Sequence, residues 1–174
     1  MVSTSYLVAF LGAAFAVEFR FTNRCNYTIE LHGGGSVPLC DLAPGETVGN
    51  NCNTSLKDHG LFKHTASNEA NLLEYSIINS PGYNSVWYDV SNIPPGPGNC
   101  MSFDLCKAET NKTGYNVPML VEPTKYDNGQ NCRSLNVTRD DAPDAYLYPS
   151  DDLKTHNCPM AEIFNVTFCH PETS

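Results

Sequence analysis

Eight residues in this 174-residue chain carry chemistry that their number and setting define. They are Cys25, Cys40, Cys52, Cys100, Cys106, Cys132, Cys158 and Cys169. An even set of thiols in an exported chain reads as four disulfides. The competing use of cysteine is metal binding. That needs clustered ligands, and here no C-x-x-C occurs. His32, His59, His64, His156 and His170 are scattered without ligand spacing, so no metal and no cofactor is expected. Five N-x-S/T sequons, at Asn26, Asn53, Asn111, Asn136 and Asn165, lack a central proline and are candidate N-glycosylation sites.

Export follows from the opening segment. Tyr6 to Val17 is an apolar run, too short for a permanent membrane span and the right length for a signal-peptide core. Ala14 and Ala16 place small residues where a signal peptidase reads, so cleavage is expected after Ala16. The n-region lacks Lys and Arg, a departure from the usual pattern. Residues 1–16 are thus read as signal peptide and 17–174 as one domain. That domain is expected to be secreted, outside the cell or in the cell wall, and monomeric. No later stretch suits a membrane span. The net charge of −9 disfavours nucleic acid, whose phosphates need Lys and Arg, and disfavours anionic lipid.

The elements that must hold these residues are mostly strands. Val17, Phe19 and Phe21 alternate with polar residues, as do Tyr27, Ile29 and Leu31. Residues 37–50 carry the turn Leu42-Ala43-Pro44-Gly45-Glu46 and read as a hairpin; residues 51–71 read as a loop. Leu72–Ile78 and Val86–Ser91 read as two strands, and the connection from Asn79 to Ser85 holds Pro81 and Gly82, which favours a hairpin. Residues 92–112 read as an excursion loop closed by Cys100–Cys106. Tyr115–Val121 and Phe164–Cys169 read as further strands, and Asp140–Tyr148 is the single helical candidate. With 12 Gly and 12 Pro, the pattern describes an all-β sandwich or barrel.

Several stretches, in order, resemble the thaumatin-like family, the pathogenesis-related group that includes osmotin and thaumatin. They are F-T-N-R-C-N-Y-T-I at 21–29, G-G-G at 33–35, W-Y-D-V-S at 87–91, G-Y-N-V-P-M at 114–119, D-A-Y-L-Y-P-S-D-D at 144–152, N-C-P at 157–159 and F-N-V-T-F-C at 164–169. The resemblance implies a flattened antiparallel β-sandwich, all-β, with the loop-rich second lobe of larger members missing or vestigial. It implies Cys25–Cys169 and Cys132–Cys158. One family bridge is lost at both ends, at the places of Val137 and Ala142, which marks a small-type member. Cys40, Cys52, Cys100 and Cys106 have no clear family counterpart; closeness in sequence favours Cys40–Cys52 and Cys100–Cys106.

The family carries an acidic cleft of one Arg, one Glu and three Asp, associated with β-1,3-glucan binding and, in some members, weak glucan hydrolysis. Glu74, Asp89 and Asp151 resemble three of those acids. Thr113 stands where another Asp is expected. The cleft Arg is missing, with Lys63 the nearest substitute, and Asp104 in the 92–112 insertion could restore a charge. Independently of the resemblance, a register that pairs Glu74 with Asp89 puts both carboxylates on one face, and a one-residue slip separates them. Two carboxylates at a set distance are what glycoside hydrolysis requires, so Glu74 and Asp89 would be the catalytic pair of a hydrolase. Trp87 shares the parity of Asp89 and, with Tyr115, is a candidate sugar-stacking aromatic.

Three functions remain open. One is a secreted defence- or cell-wall-associated protein binding polysaccharide, β-1,3-glucan above all, and antifungal by that route. The second is a protein-interaction module without a sugar site, such as a glycoside-hydrolase inhibitor or a secreted effector, using the 92–112 insertion. The third is a weak endo-β-1,3-glucanase.

Overall fold

The structure is a computed structural model that describes residues 16–49, 52 and 56–171. Nearly all of the expected signal peptide and the Asn53 sequon lie outside the described residues. Twelve strands form among them: β1 (Glu18–Asn23), β2 (Ile29–His32), β3 (Pro38–Leu42), β4 (Thr47–Val48), β5 (His59–Phe62), β6 (Leu72–Ser80), β7 (Tyr83–Ser91), β8 (Met119–Pro123), β9 (Leu135–Val137), β10 (Ala145–Tyr146), β11 (His156–Pro159) and β12 (Ile163–Phe168). One α-helix, α1, spans Phe103–Thr110.

Two sheets stack face to face. The first has the order β4-β1-β12-β8-β9; the second has the order β10-β7-β6-β5, with β11 also pairing β7. A separate ribbon joins β2 and β3. Most pairs are antiparallel, as the sandwich reading requires. Two are parallel: β1 with β12, and β10 with β7. The fold is thus a β-sandwich of the thaumatin type, all-β apart from one short helix.

Alternation along the strands builds the core. Phe19, Phe21, Phe164 and Phe168 of the first sheet turn inward against Phe62, Tyr75 and Tyr88 of the second. Their rings interlock across the layers: Phe19 lies 5.3 Å from Tyr75, Phe21 lies 4.8 Å from Phe62, and Phe164 lies 4.7 Å from Tyr88. Aromatic pairs at such spacings add roughly 0.5–1.5 kcal/mol each beyond the area they bury.

Four disulfides staple the layers: Cys25–Cys169, Cys40–Cys52, Cys100–Cys106 and Cys132–Cys158. Every cysteine of the chain is used. Such bridges fit an oxidising, extracellular compartment. Among the described residues no helix is long and apolar enough to cross a membrane.

Four local expectations need correction. Residues 92–112 are not all loop, because they contain α1. Ser102 caps that helix by accepting from the Leu105 amide, and Asn111 ends it in the left-handed region at φ 51°. Asp140–Tyr148 is not a helix: Pro143 interrupts it, and the segment forms turns and then β10. Residues 37–50 do not close a hairpin. The turn at Gly45 (φ 82°) is a corner, so that β3 pairs with β2 while β4 crosses to β1. Residues 51–71 contain β5, which pairs with β6. Of the sequons, Asn26 and Asn111 are exposed, whereas Asn136 and Asn165 sit half-buried on strands.

The longest staple closes a loop with a sequence separation of 144 and the shortest one of 6. Loop-closure entropy then gives about 5 kcal/mol for Cys25–Cys169 and about 2 kcal/mol for Cys100–Cys106. Replacing each pair by alanines should reproduce that order in urea denaturation, with the Cys25–Cys169 variant the less stable by about 3 kcal/mol.

Candidate functional site

β6 and β7 form one long hairpin, paired from Leu72↔Ser91 to Ser80↔Tyr83. Its turn is Pro81-Gly82, where Gly82 takes φ 84°, a conformation that favours glycine. Leu73, Tyr75, Val86, Tyr88 and Val90 point into the core. By alternation Glu74, Ser76, Trp87 and Asp89 occupy the opposite, outward face. Glu74 stands directly across from Asp89, and Ser76 across from Trp87. Cβ atoms of directly opposed residues lie about 4.5–5.5 Å apart, so the two carboxyl groups are neighbours.

The outward face is concave there. A cavity of about 320 Å³ is lined by Glu74, Asp89 and Trp87 together with His59 and Leu61 of β5 and Thr155, which precedes β11. Burial within it raises the Asp89 carboxyl to about 7, and the charge of Glu74 adds to the shift. Burial also raises Glu74 above the ordinary carboxylate range. Near neutrality Asp89 therefore keeps a share of its proton beside the Glu74 carboxyl. Asp89 Oδ1 and the Trp87 indole Nε1 are both closed off from solvent and have no hydrogen-bond partner among the described residues. Unpaired polar atoms beside an aromatic face are what a hydroxyl-rich ligand can satisfy.

The remaining sequence candidates are elsewhere. Asp151 is buried, but its Oδ2 accepts from the Leu147 amide at 3.2 Å, and it does not line the cavity. Tyr115 donates its hydroxyl to the Thr138 carbonyl at 2.7 Å and packs on the core. Lys63 is buried, with Nζ donating to the Ala66 and Ser67 carbonyls, so it does not stand in for the missing Arg. Thr113 donates to Asp140 Oδ1 at 2.9 Å, and Asp104 lies in the first turn of α1. The 92–112 insertion does not line the cavity either. It is tied down by the Lys107–Asp140 ion pair at 2.5 Å and by Gly114, where a Cβ would meet the Asn92 carbonyl oxygen at 2.3 Å.

Sequence reasoning missed His59, Leu61 and Thr155. The first two lie on β5, a four-residue strand without an alternating signature. It also missed Asp152, which accepts a hydrogen bond from the Tyr146 hydroxyl at 2.8 Å. That phenol is raised to about 12 by burial, by Asp152 and, more weakly, by the charge of Asp89, so this pair flanks the site. Among the described residues, one cluster brings Cys132, Cys158 and Glu162 within 4.8 Å of each other. Both sulfurs are bound in a disulfide and are not thiolate ligands.

No family model matches the chain. It is 29% identical over 171 residues to a thaumatin-like protein of Oryza sativa subsp. japonica, covering 91% of this chain and 88% of that protein. Its fold is similar to that of the protein elicitor MoHrip2 from Magnaporthe oryzae, with a TM-score of 0.54 at 18% identity, covering 89% of this chain and all of that one. The thaumatin-like xylanase inhibitor TLXI gives a TM-score of 0.48 at 14% identity, covering 87% of this chain and 99% of that one.

The raised Asp89 carboxyl has a measurable consequence. Between its unfolded value near 3.9 and its folded value of about 7, the folded state holds more protons than the unfolded one. Stability from this group is therefore present at low pH and lost as pH rises through that window. Chemical denaturation at pH 4.5 and 7.5 should show Asp89→Asn gaining on the wild type at the higher pH, by on the order of a few kcal/mol. Trp87 is the single tryptophan, so its emission should also titrate near pH 7 in the wild type and not in Asp89→Asn.

Proposed function

We propose that this chain, which resembles thaumatin-like proteins along nine-tenths of its length and has their type of sandwich, is a secreted, defence- or cell-wall-associated protein that binds neutral polysaccharide, with β-1,3-glucan the principal candidate. Residues 1–16 are its cleavable signal peptide in this reading. The observation that carries it is the Glu74–Asp89 pair set across adjacent strands beside Trp87, at a cavity where buried polar atoms lack partners. A pyranose supplies what is missing. Its ring face stacks on an indole, and its vicinal hydroxyls both donate and accept. A carboxylic acid beside a carboxylate matches that dual character without charge on the ligand. Aligned hydrogen bonds to a charged group contribute roughly 1.5–3 kcal/mol each.

Retention on insoluble β-1,3-glucan tests this. Wild type should be retained, and Glu74→Gln, Asp89→Asn and Trp87→Ala should each weaken retention about tenfold. Equal retention of all four proteins would remove this face from the function. Release of reducing sugar from laminarin by wild type, lost in Glu74→Gln, would extend the reading from binding to hydrolysis.

A second reading rests on a different observation. The staple Cys100–Cys106 holds α1 with Met101 and Leu105 facing solvent, 72% and 51% exposed. Apolar side chains on a rigid excursion suit a protein partner, such as a glycoside hydrolase that the chain would inhibit. Under that reading Met101→Asp with Leu105→Asp abolishes the inhibition and leaves glucan retention intact.

A further inference from the structure

A second cavity lies on the same hairpin, beyond Trp87. Its volume is about 290 Å³, and its walls include Tyr83, Ser85, Asn131 and Asn157. Their placement follows from register. Tyr83, Ser85, Trp87 and Asp89 are alternate residues of β7 and share one parity. Asn157 of β11 stands directly opposite Trp87. The Trp87–Asn157 pair is therefore the divide between the two cavities: Trp87 lines the one with the carboxyl groups, and Asn157 lines the other.

The chemistry of this second cavity is amide and hydroxyl, with no charged wall. The side-chain amides of Asn131 and Asn157 make no hydrogen bond among the described residues. Ser85 is 5% exposed, and its Oγ is closed off with no partner. The backbone at the rim is spoken for, since the Asn157 amide donates to the Asn131 carbonyl at 3.0 Å. That bond fixes the two backbones beside one another at the cavity wall. Tyr83 is 47% exposed at the hairpin end and offers a ring face. Carboxamides each present two donors and an acceptor at fixed spacing, the complement of vicinal hydroxyls. A site of unpaired amides selects ligands that carry hydroxyls and rejects those that lack them.

We propose that this amide-lined cavity is a second subsite for the same neutral polysaccharide, so that one glycan strand runs along β7 from Asp89 past Trp87 to Tyr83. The proposal rests on the glucan reading above. From Tyr83 to Asp89 the strand advances about 20 Å, longer than a single sugar ring, and it carries the aromatic faces of Trp87 and Tyr83 along the track. Selection for long chains over short ones follows from this length. A disaccharide fills one cavity, and a longer oligomer fills both without a second loss of translational freedom.

Calorimetry with laminaribiose and laminarihexaose tests it, together with side-chain amide NMR signals of Asn131 and Asn157. Wild type should bind the hexaose at least tenfold more tightly than the biose. Asn131→Ala with Tyr83→Ala should remove that gain, bringing the hexaose down to the affinity of the biose, whereas Asp89→Asn should weaken both ligands. On adding the hexaose to wild type, the two asparagine signals should move along with the Trp87 indole signal. Equal affinity for the two oligomers, an undiminished gain in the double variant, or static asparagine signals while Trp87 responds would overturn the second subsite and leave the first standing. No binding of either oligomer by wild type would overturn both.

Discussion

The whole arrangement depends on the two ends of the domain meeting in the middle of one sheet. β1 and β12 run parallel, from Glu18↔Ile163 to Asn23↔Phe168, with Cys25–Cys169 just beyond the pair. No hairpin can make a parallel contact between segments this far apart, so nothing local favours it. What favours it is burial. Phe19 and Phe21 stack on Phe164 and Phe168 at centroid separations of 5.0 and 6.4 Å, and all four rings are sealed from water. The disulfide then removes the open-chain states that would compete.

That phenylalanine layer sets the position of the acidic pair on the far side of the other sheet. Tyr75 and Tyr88 are the sockets into which Phe19 and Phe164 fit, and they stand opposite each other in β6 and β7. Tyr88 is fixed further: its hydroxyl donates to the Arg133 carbonyl at 2.5 Å and accepts from the Arg133 amide at 2.9 Å. Glu74 and Asp89 are the immediate neighbours of these tyrosines. A slip of one residue in the hairpin would bury the two acids in the aromatic core and expose both rings. Core packing therefore enforces the carboxylate pairing, and the core residues Tyr75 and Tyr88 themselves reach the cavity wall.

This explains what was legible in the sequence. Alternation over Leu72–Ile78 and Val86–Ser91, with Pro81 and Gly82 between them, points to the hairpin and to a shared face for Trp87 and Asp89, whereas the register that sets Glu74 across from Asp89 is fixed by the two-residue turn and the core. The count and compartment of the cysteines specify four bridges. Features set by distant partners were not legible. His59 and Leu61 reach the cavity because β5 adds to the edge of β6, a pairing with no local signature in a four-residue strand. Asp151 occupies a motif position, but its carboxylate is turned onto the Leu147 amide, and Asp152 is the residue that holds Tyr146 near the site. Helix α1 did carry a signal, in Ser102 and Asn111 at its ends. Its single buried residue, Cys106, leaves no apolar stripe to reveal it.

The missing arginine is consistent with the character of the remaining site. Two carboxyl groups on one half-buried face can coexist in two ways: a cation can neutralise them, or one of them can keep its proton. Here Lys63 is committed to the Ala66 and Ser67 carbonyls, and among the described residues no Arg or Lys lines the cavity. Proton retention by Asp89 takes that role. A neutral ligand that displaced water from the cavity would deepen the desolvation and tighten the hold on the proton, so ligand and proton would bind cooperatively. A cationic ligand would do the reverse, drawing both groups into the charged form. The electrostatics of the site thus favour an uncharged partner over a cationic one.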